Sequence, residues 1–469
     1  MNPLFNPLIS LPFLKNYILD PGRIERLSTK QLERYKDKAL RKIINYAYNV
    51  PVYQKKYREA GIHPSDIKGI NDIKKIPFVS KQDLRDNFPD GIIPVNYNKS
   101  KGYVISTGGT TGKPVSIYTD FSTWLRSQGP TFRELRYFKL NWRKSRGAHI
   151  GNFSRYRADS IFLENFVSQT TLFHSLDNML DIDVNEPIKS ILDKLNDFKP
   201  DYIISYPAIF QHLAFLKKKG YGKNVNPKLL RVGGAVLDEY TRSYVEDAFN
   251  CRLLNIYPSV EAHTSIAFEC YEGNWHIHPD FFHVEAVDEN MELVAPGERG
   301  HLVISRLWGR GTPIMRYTGM DDWVTLGDGK KCSCGLHSPF FEKPVEGRAR
   351  ANIILPNGKV FPPGAFCFIS PVLHDLKTYK VKQFQIVQRK IDEIDILLVI
   401  DDDLRDTGAS FEEIARGIKK IYNEKAGPDV KIATKEVEEI KSDPNSGKPA
   451  PIVVSHVRLD EGYRLLDKF

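Results

Sequence analysis

Apolar residues recur every three to five positions between Ser28 and Ala60, where Leu32, Tyr35, Leu40, Ile43, Ile44 and Ala47 are separated mostly by lysines and arginines. That spacing lines one face of a helix and predicts a helical hairpin. Asn71 to Arg85 reads as a second, shorter helical segment interrupted by Pro77. From about Tyr103 to Asp328 the period changes, and strand-like runs alternate with helical ones. Asp201-Tyr-Ile-Ile-Ser205, Ile209 to Lys218, Leu229-Leu-Arg-Val232, Asp238 to Phe249 and Leu253-Leu-Asn-Ile256 follow one another in this way. Such a rhythm predicts a largely parallel sheet with helices on its faces. Phe281 to Val287 and His301 to Leu307 read as further strands. After Gly347 the pattern changes again: Phe384-Gln-Ile-Val387, Ile394 to Ile400, the helical Phe411 to Ala426 and Val430 to Ile440 predict a compact α+β unit. The expected fold class is therefore α/β, a large unit over 1–348 with helix-flanked sheets and a small α+β unit over 349–469, divided near Arg348 to Asn352.

With 469 residues, 41% hydrophobic and 27% charged, the chain has room for two or three domains with real cores. No apolar stretch reaches the roughly 18 residues that span a bilayer, and no secretory leader pattern opens the chain. A cytoplasmic protein without stable membrane insertion is expected. Phe5 to Leu19 is apolar but broken by Pro7, Pro12 and Lys15. It reads as a surface-docked arm, with membrane contact as the other reading. The net charge of +9 is spread among alternating acidic and basic residues, so nucleic acid is not an expected partner. Five cysteines in a chain this long make no disulfide framework.

The most distinctive local chemistry is Ser106-Thr-Gly-Gly-Thr-Thr-Gly-Lys-Pro114, which carries three glycines, four hydroxyls and a lysine in nine residues. Glycines let backbone N–H groups approach an anion closely, and hydroxyls add donors. A phosphate-bearing ligand, and hence a nucleotide, is expected. The segment is not a Walker A loop, because Thr107 stands where that pattern needs glycine and Pro114 follows Lys113. Tyr103-Val-Ile105 before it and Val115-Ser-Ile-Tyr118 after it instead predict a loop between two strands.

Four further segments follow in order: Ile256-Tyr-Pro-Ser-Val-Glu261, Arg316-Tyr-Thr-Gly-Met-Asp321, Glu346-Gly-Arg348 and Asn445-Ser-Gly-Lys448. With the phosphate loop they resemble the nucleotide motifs of adenylate-forming enzymes across nearly the whole chain. Ala47-Tyr-Asn-Val-Pro-Val-Tyr53, Gly61-Ile62, Ile76-Pro77 and Lys81-Gln-Asp-Leu-Arg85 narrow the resemblance to the phenylacetate-coenzyme A ligase branch and its CapK-type relatives. The resemblance implies ATP-dependent activation of a carboxylic acid, aryl or related, to an acyl adenylate, followed by transfer to coenzyme A. An alternative acceptor, as in relatives assigned to polysaccharide modification or deazaflavin adenylylation, and a non-catalytic nucleotide-binding protein are the rival readings.

The resemblance also implies roles. Ser106, Thr107, Gly108, Gly109, Thr110, Thr111, Gly112 and Lys113 would grip the phosphates of ATP. Glu261 would hold Mg²⁺, a hard cation suited to a carboxylate beside phosphates; a helix-start glutamate is the bland alternative. Tyr257 would stack on adenine or else serve as a core tyrosine. Asp321, with Asp322 as its neighbouring alternative, would accept from ribose hydroxyls. Arg348 would pair with ribose or phosphate oxygens. Lys448, on a mobile C-terminal domain rotating near Arg350, would bridge carboxylate and α-phosphate. The chain departs from the pattern at Val260, where a hydroxyl is usual, and at Gly233-Gly234-Ala235, where the branch has glycine-glycine-glutamate near adenine and acid. Arg155, Tyr156 and Arg157 lie in a poorly matched acid-pocket stretch. They read as surface charges or as readers of an anionic or hydroxylated acceptor.

Cys270, His276, Cys332 and Cys334 offer three sulfurs and an imidazole, a donor set suited to tetrahedral structural Zn²⁺. Two reduced turn thiols are the other reading of the Cys332-x-Cys334 pair. The expected partners are a small carboxylic acid and a nucleotide. Oligomeric state is open, a homodimer being one option.

Overall fold

The computed structural model describes residues 3–107, 114–153, 158–167, 177–320, 322–327, 332–342, 345, 352–357, 359–361, 366, 368–376, 378, 380–441 and 452–457. The expected helical hairpin consists of Thr29–Ala47 and Pro51–Glu59. Ser28 starts it with a capping box: its hydroxyl accepts from the Gln31 N–H while the Gln31 side chain accepts from the Ser28 N–H. Leu40, Ile43, Ile44 and Ala47 are buried along the first helix and join the largest hydrophobic cluster. Tyr53 Oη donates to Pro313 O at 2.6 Å, fastening the hairpin to the segment that leads into Arg316. The Asn71 to Arg85 expectation resolves into a 3-10 turn, Ile70–Lys75, and a helix, Lys81–Asp86, with Pro77 between them.

Gly102–Ser106 and Ser116–Asp120 pair antiparallel, as expected for strands flanking a loop. The helix Phe121–Tyr137 follows at once, capped by Asp120, whose side chain accepts from the Thr123 N–H. It packs against an eight-stranded sheet. Five strands of that sheet are parallel: Leu253–Ser259, Leu229–Val232, Tyr202–Ser205, Gly147–Gly151 and Met179–Asp183, in that spatial order. The helices Pro207–Lys218 and Glu239–Phe249 make the crossovers, so the rhythm expected from the sequence is realised. Beyond Leu253–Ser259 the sheet continues antiparallel through Thr264–Glu269, Trp275–Ile277 and Phe340–Phe341. Phe282–Val287, Arg299–Arg306 and Trp323–Thr325 form a separate antiparallel sheet.

A buried ionic chain joins the helix Phe121–Tyr137 to the large sheet. The Glu134 carboxylate pairs with the Arg231 guanidinium and accepts from the Ser265 hydroxyl. His278 Nε2 donates to Glu134 Oε1 at 2.8 Å, and His278 Nδ1 accepts from Arg133 Nη1 at 3.1 Å. Arg133 in turn holds Asp280 through two 2.9 Å bonds. Burial, reinforced by Arg133 and Arg231, pushes the His278 pKa well below its ordinary value. The imidazole is thus a neutral link between charges.

The C-terminal unit has its own hydrophobic cluster and a four-stranded sheet in which Val381–Lys390 and Glu393–Ile400 form the central antiparallel pair. Lys431–Glu436 and Val453–Ser455 add in parallel on either side, and the helix Phe411–Ala426 packs its Ile414, Ile418 and Tyr422 against them. This unit meets the large one beside the helix Pro207–Lys218. Lys219 Nζ lies 3.3 Å from Asp401 Oδ1 and 2.8 Å from Asp403 Oδ2, and His212 Nε2 lies 3.2 Å from Lys382 O. No helix among the described residues is long and apolar enough to cross a membrane.

His283, half-buried on Phe282–Val287, makes stability depend on pH. Its Nδ1 lies 3.4 Å from Lys36 Nζ, and burial together with Lys36 and Arg316 lowers its pKa to about 3. An unfolded histidine titrates near 6.5. Between those values the unfolded chain binds a proton that the native one does not, so stability is lost as pH falls below about 6.5. His283→Gln is expected to remove up to about 2 kcal/mol of the loss between pH 6.5 and 5, read from urea denaturation midpoints. An unchanged acid slope would show that other groups carry it.

Candidate active site

The strand Leu253–Ser259 ends in a tight reversal that returns as Thr264–Glu269, and Glu261 sits in that turn, not at a helix start. Its side chain is 5% exposed, and Tyr317 Oη donates to Glu261 Oε1 at 3.2 Å. Tyr317 is positioned by backbone bonds to Ile304 at 2.9 and 3.1 Å and by a bridge to Val79. Before it, Arg316 adopts φ 40°, and its guanidinium grips Glu285 at 3.0 and 3.1 Å and the carbonyls of Lys74 and Ile76. Arg316 therefore pins the segment that presents Tyr317.

On the same strand as the Glu261 turn, the Tyr257 hydroxyl donates to Asp322 Oδ2. The ring of Tyr257 stands edge-on to Phe341 at 6.4 Å and is half-buried. Two of the five spaced segments, 256–261 and 316–321, are thus joined by side chains despite about sixty intervening residues. Gly233-Gly234-Ala235 follows Leu229–Val232 at the carboxyl end of the parallel strands, where open α/β sheets bind ligands. Gly234 has φ +77°, and a Cβ there would stand 2.9 Å from the Tyr206 ring, so both conformation and space demand glycine.

The neck of the phosphate loop is closed by three contacts. Thr107 N–H donates to Val115 O and Val115 N–H to Thr107 Oγ1, both at 2.9 Å, and the Ser106 and Ser116 hydroxyls are 2.8 Å apart. Gly108, Gly109, Thr110, Thr111, Gly112 and Lys113 lie outside the described residues, as do Arg155, Tyr156, Arg157, Asp321, Arg348, Arg350 and Lys448. Asp322, the neighbouring alternative to Asp321, is buried and engaged by Tyr257.

One group lies behind Glu261 on no recognised motif. Arg306 is fully buried on the strand Arg299–Arg306; its Nη1 donates to Glu261 O at 2.9 Å and to His263 Nδ1, and its Nη2 to Thr312 O. Burial draws its pKa down to about 10. His263 occupies φ 64°, the left-handed corner that closes the turn. Arg306 thus fastens the backbone on which the Glu261 carboxylate is displayed.

Cys270, His276, Cys332 and Cys334 meet where the antiparallel strands end, with their donor atoms all within 4.8 Å of one another. Cys270 Sγ and Cys332 Sγ are 3.8 Å apart, and Cys334 Sγ is 3.2 Å from His276 Nε2. Two thiolates on one tetrahedral zinc stand about 3.8 Å apart, so the spacing fits that ion. His276 Nδ1 lies 3.0 Å from Ser338 Oγ, leaving Nε2 turned to the sulfurs, and Asn274 Nδ2 donates to Cys332 Sγ at 3.2 Å. Burial raises the Cys270 thiol to about 12 and lowers His276 to about 4. At Cys332, burial is outweighed by the Asn274 amide and nearby hydrogen bonds, and its pKa falls.

Comparison with known proteins agrees with this geometry. The CapK C-terminal domain family matches residues 367–455. A phenylacetate-coenzyme A ligase of Escherichia coli is 27% identical over 326 residues, 66% of this chain and 70% of its own length. One from Thermus thermophilus is also 27% identical, over 354 residues, 72% of this chain and 75% of its own. A crystal structure of 2-hydroxyisobutyryl-CoA ligase in the postadenylation state superposes with a TM-score of 0.73 at 17% identity, covering 95% of this chain and 94% of that one. That likeness bears on fold alone: the chain shares the mixed α/β fold of that ligase. Motif order, C-terminal match and sequence relatives thus agree in making this chain similar to phenylacetate-coenzyme A ligases and to CapK-type proteins.

Proposed function

We propose that the protein is an ATP-dependent ligase that converts a carboxylic acid to its acyl adenylate, releasing pyrophosphate, and then transfers the acyl group to coenzyme A with release of AMP. The observation that carries this reading is the pairing of Tyr317 with Glu261 and of Tyr257 with Asp322, which brings two sequence-distant segments resembling nucleotide motifs into contact. Glu261 offers a carboxylate for Mg²⁺, whose charge offsets that of the phosphates. The loop 108–113 would cradle those phosphates; Gly234, Ala235 and Tyr257 would border adenine, and Asp321 or Asp322 the ribose. Residues 349–469 are proposed as a mobile domain that brings Lys448 to the α-phosphate, with Arg348 at the junction.

The test is ATP-dependent pyrophosphate release across aryl and aliphatic acids, with and without coenzyme A. Acid-dependent release followed by coenzyme A-dependent AMP formation is the expected result, and silence across the panel despite ATP binding would refute it. The CapK match over 367–455 favours one second reading, an acceptor other than coenzyme A. Acid-dependent pyrophosphate release with no coenzyme A-dependent release of AMP from the acyl adenylate would select it.

The Cys270, His276, Cys332 and Cys334 cluster is proposed to hold a structural Zn²⁺ that clamps the Cys332 turn to the strand Trp275–Ile277. Metal analysis of purified protein is expected to give about one zinc per chain and far less in Cys334→Ser. Chelation should lower the thermal midpoint. Zinc-free wild type would end the idea.

A further inference from the structure

The segment Pro3 to Leu19 carries apolar side chains on both its sides. It runs through the helix Pro7–Phe13 into one turn of π-helix, Leu14–Ile18, closed by the Leu19 N–H donating to Leu14 O at 2.9 Å. Leu4 and Phe13 turn inward and pack on the cluster of Phe121, Trp124, Leu125 and Phe166, with the Phe13 ring 6.2 Å from that of Phe132. Phe5, Leu11, Leu14 and Leu19 turn outward and stand 58%, 60%, 41% and 70% exposed. The inward pair anchors the arm, and the outward set is left for something that covers it.

The charges beside the arm favour one sign. Met1 to Leu19 contains no acidic residue, and its only charged side chain, Lys15, is exposed. From Phe13 an aromatic line continues through Phe132 to Trp142, the last two rings 4.7 Å apart. Trp142 sits in the stretch Lys139-Leu-Asn-Trp-Arg-Lys-Ser-Arg146, which is rich in basic residues and has no acidic one. Lys139, Arg143 and Lys144 are exposed there, and no carboxylate pairs with them among the described residues. Arg143 lies over the Trp142 ring at 5.0 Å. The carboxylates that follow the arm are already taken: Asp20 pairs with Arg26, and Glu25 with Arg136 at 3.2 Å. The outward apolar side chains are thus flanked by positive charge that this neighbourhood does not neutralise.

We propose that this face docks on an anionic lipid bilayer, with Phe5, Leu11, Leu14 and Leu19 entering the interface and Lys15, Lys139, Arg143 and Lys144 meeting anionic headgroups. A membrane surface selects that combination: apolar side chains partition into it from water, tryptophan and long basic side chains settle at headgroup level, and each nearby cation gains from negative lipid. Docking of this kind needs no span, and no helix among the described residues is long and apolar enough to cross a membrane. A second copy is the poorer fit, because an isologous pairing through this face would bring two rims of like charge together.

Full-length protein is sedimented with vesicles of phosphatidylcholine alone and with vesicles of phosphatidylcholine and phosphatidylglycerol in equal parts. The partition coefficient on the mixed vesicles is expected to exceed that on the neutral ones by about tenfold or more, and to fall as sodium chloride is raised. Leu11→Ser with Leu14→Ser should lower binding to the mixed vesicles by about tenfold, and Arg143→Glu with Lys144→Glu should erase the preference for them. All four side chains are exposed, so thermal midpoints should stay at the wild-type value, and Leu19→Ser supplies a second apolar deletion if the leucine pair disturbs the arm. Wild type that stays in the supernatant beside mixed vesicles overturns the proposal, as does binding that the leucine variants leave unchanged. Equal binding to both vesicle types overturns the anionic assignment. Light scattering without lipid reads the other occupant: a dimer that Leu11→Ser with Leu14→Ser dissociates, together with no vesicle binding, would give the face to a second copy.

Discussion

Lys448→Ala is expected to lower acid-dependent pyrophosphate release by about three orders of magnitude while changing ATP affinity less than about threefold. The reason is differential: an ammonium bridging the attacking carboxylate and the α-phosphate gains most when charge builds on the phosphate oxygens, and less in the ground state. The residue lies in the sequence Pro444-Asn-Ser-Gly-Lys-Pro449. A second half-reaction sharpens the test. Thioester formation from preformed acyl adenylate and coenzyme A should survive in the variant, since the proposed role of the lysine ends with adenylation. Loss of both half-reactions would point to a folding defect, and retention of adenylation would transfer the role to another cation, with Lys113 the first to test. Calorimetric ATP titration and rapid-quench assays supply both readings.

The second large effect concerns stability. Glu134→Gln should destabilise the protein by about 3–5 kcal/mol, because it removes the anion that neutralises buried Arg231 and leaves that guanidinium with no charge partner among the described residues. Burial already draws the Arg231 pKa down to about 9, a measure of how unfavourable its charge is there. The double variant Glu134→Leu with Arg231→Met should recover most of the loss, since two apolar side chains need no counter-charge. Denaturant midpoints of the single and double variants decide the matter. If the double variant is no more stable than Glu134→Gln, the hydrogen bonds from Ser265 and His278 matter more than the ion pair.

The helical hairpin, the loop between two strands, the alternating strands and helices of 201–256 and the strand-rich C-terminal unit all follow from hydrophobic period. Burial on one face leaves a record at regular intervals. Cys270, His276, Cys332 and Cys334 were legible for another reason: thiols and imidazoles are scarce, and four within about sixty-five residues stand out. Period says nothing about which strands pair. The antiparallel extension through Thr264–Glu269, Trp275–Ile277 and Phe340–Phe341 therefore had no signal beyond strand-like composition. Glu261 was compatible with a helix start, but Pro258 and Ser259 extend the preceding strand through a register shift and the acid falls in a turn. Arg133 and Glu134 look like a surface pair on a helix, yet both are buried because their partners, Arg231, His278 and Asp280, arrive from about 100 to 150 positions away. Arg306 and His263 belong to no motif, and only the fold sets them side by side. Tyr317 lies inside the segment 316–321, but its bond to Glu261 depends on a fold that brings together residues 56 positions apart.

The meeting of the two units at Lys219 and His212 has a mechanical consequence. Their hydrophobic clusters are separate, and the polar links described between them are one lysine shared by Asp401 and Asp403 and one imidazole facing a carbonyl. An ion pair reaching water is worth on the order of 1 kcal/mol or less and weakens with salt. The seam is therefore expected to be the fold's fuse, and raising the ionic strength of the surroundings is expected to weaken it.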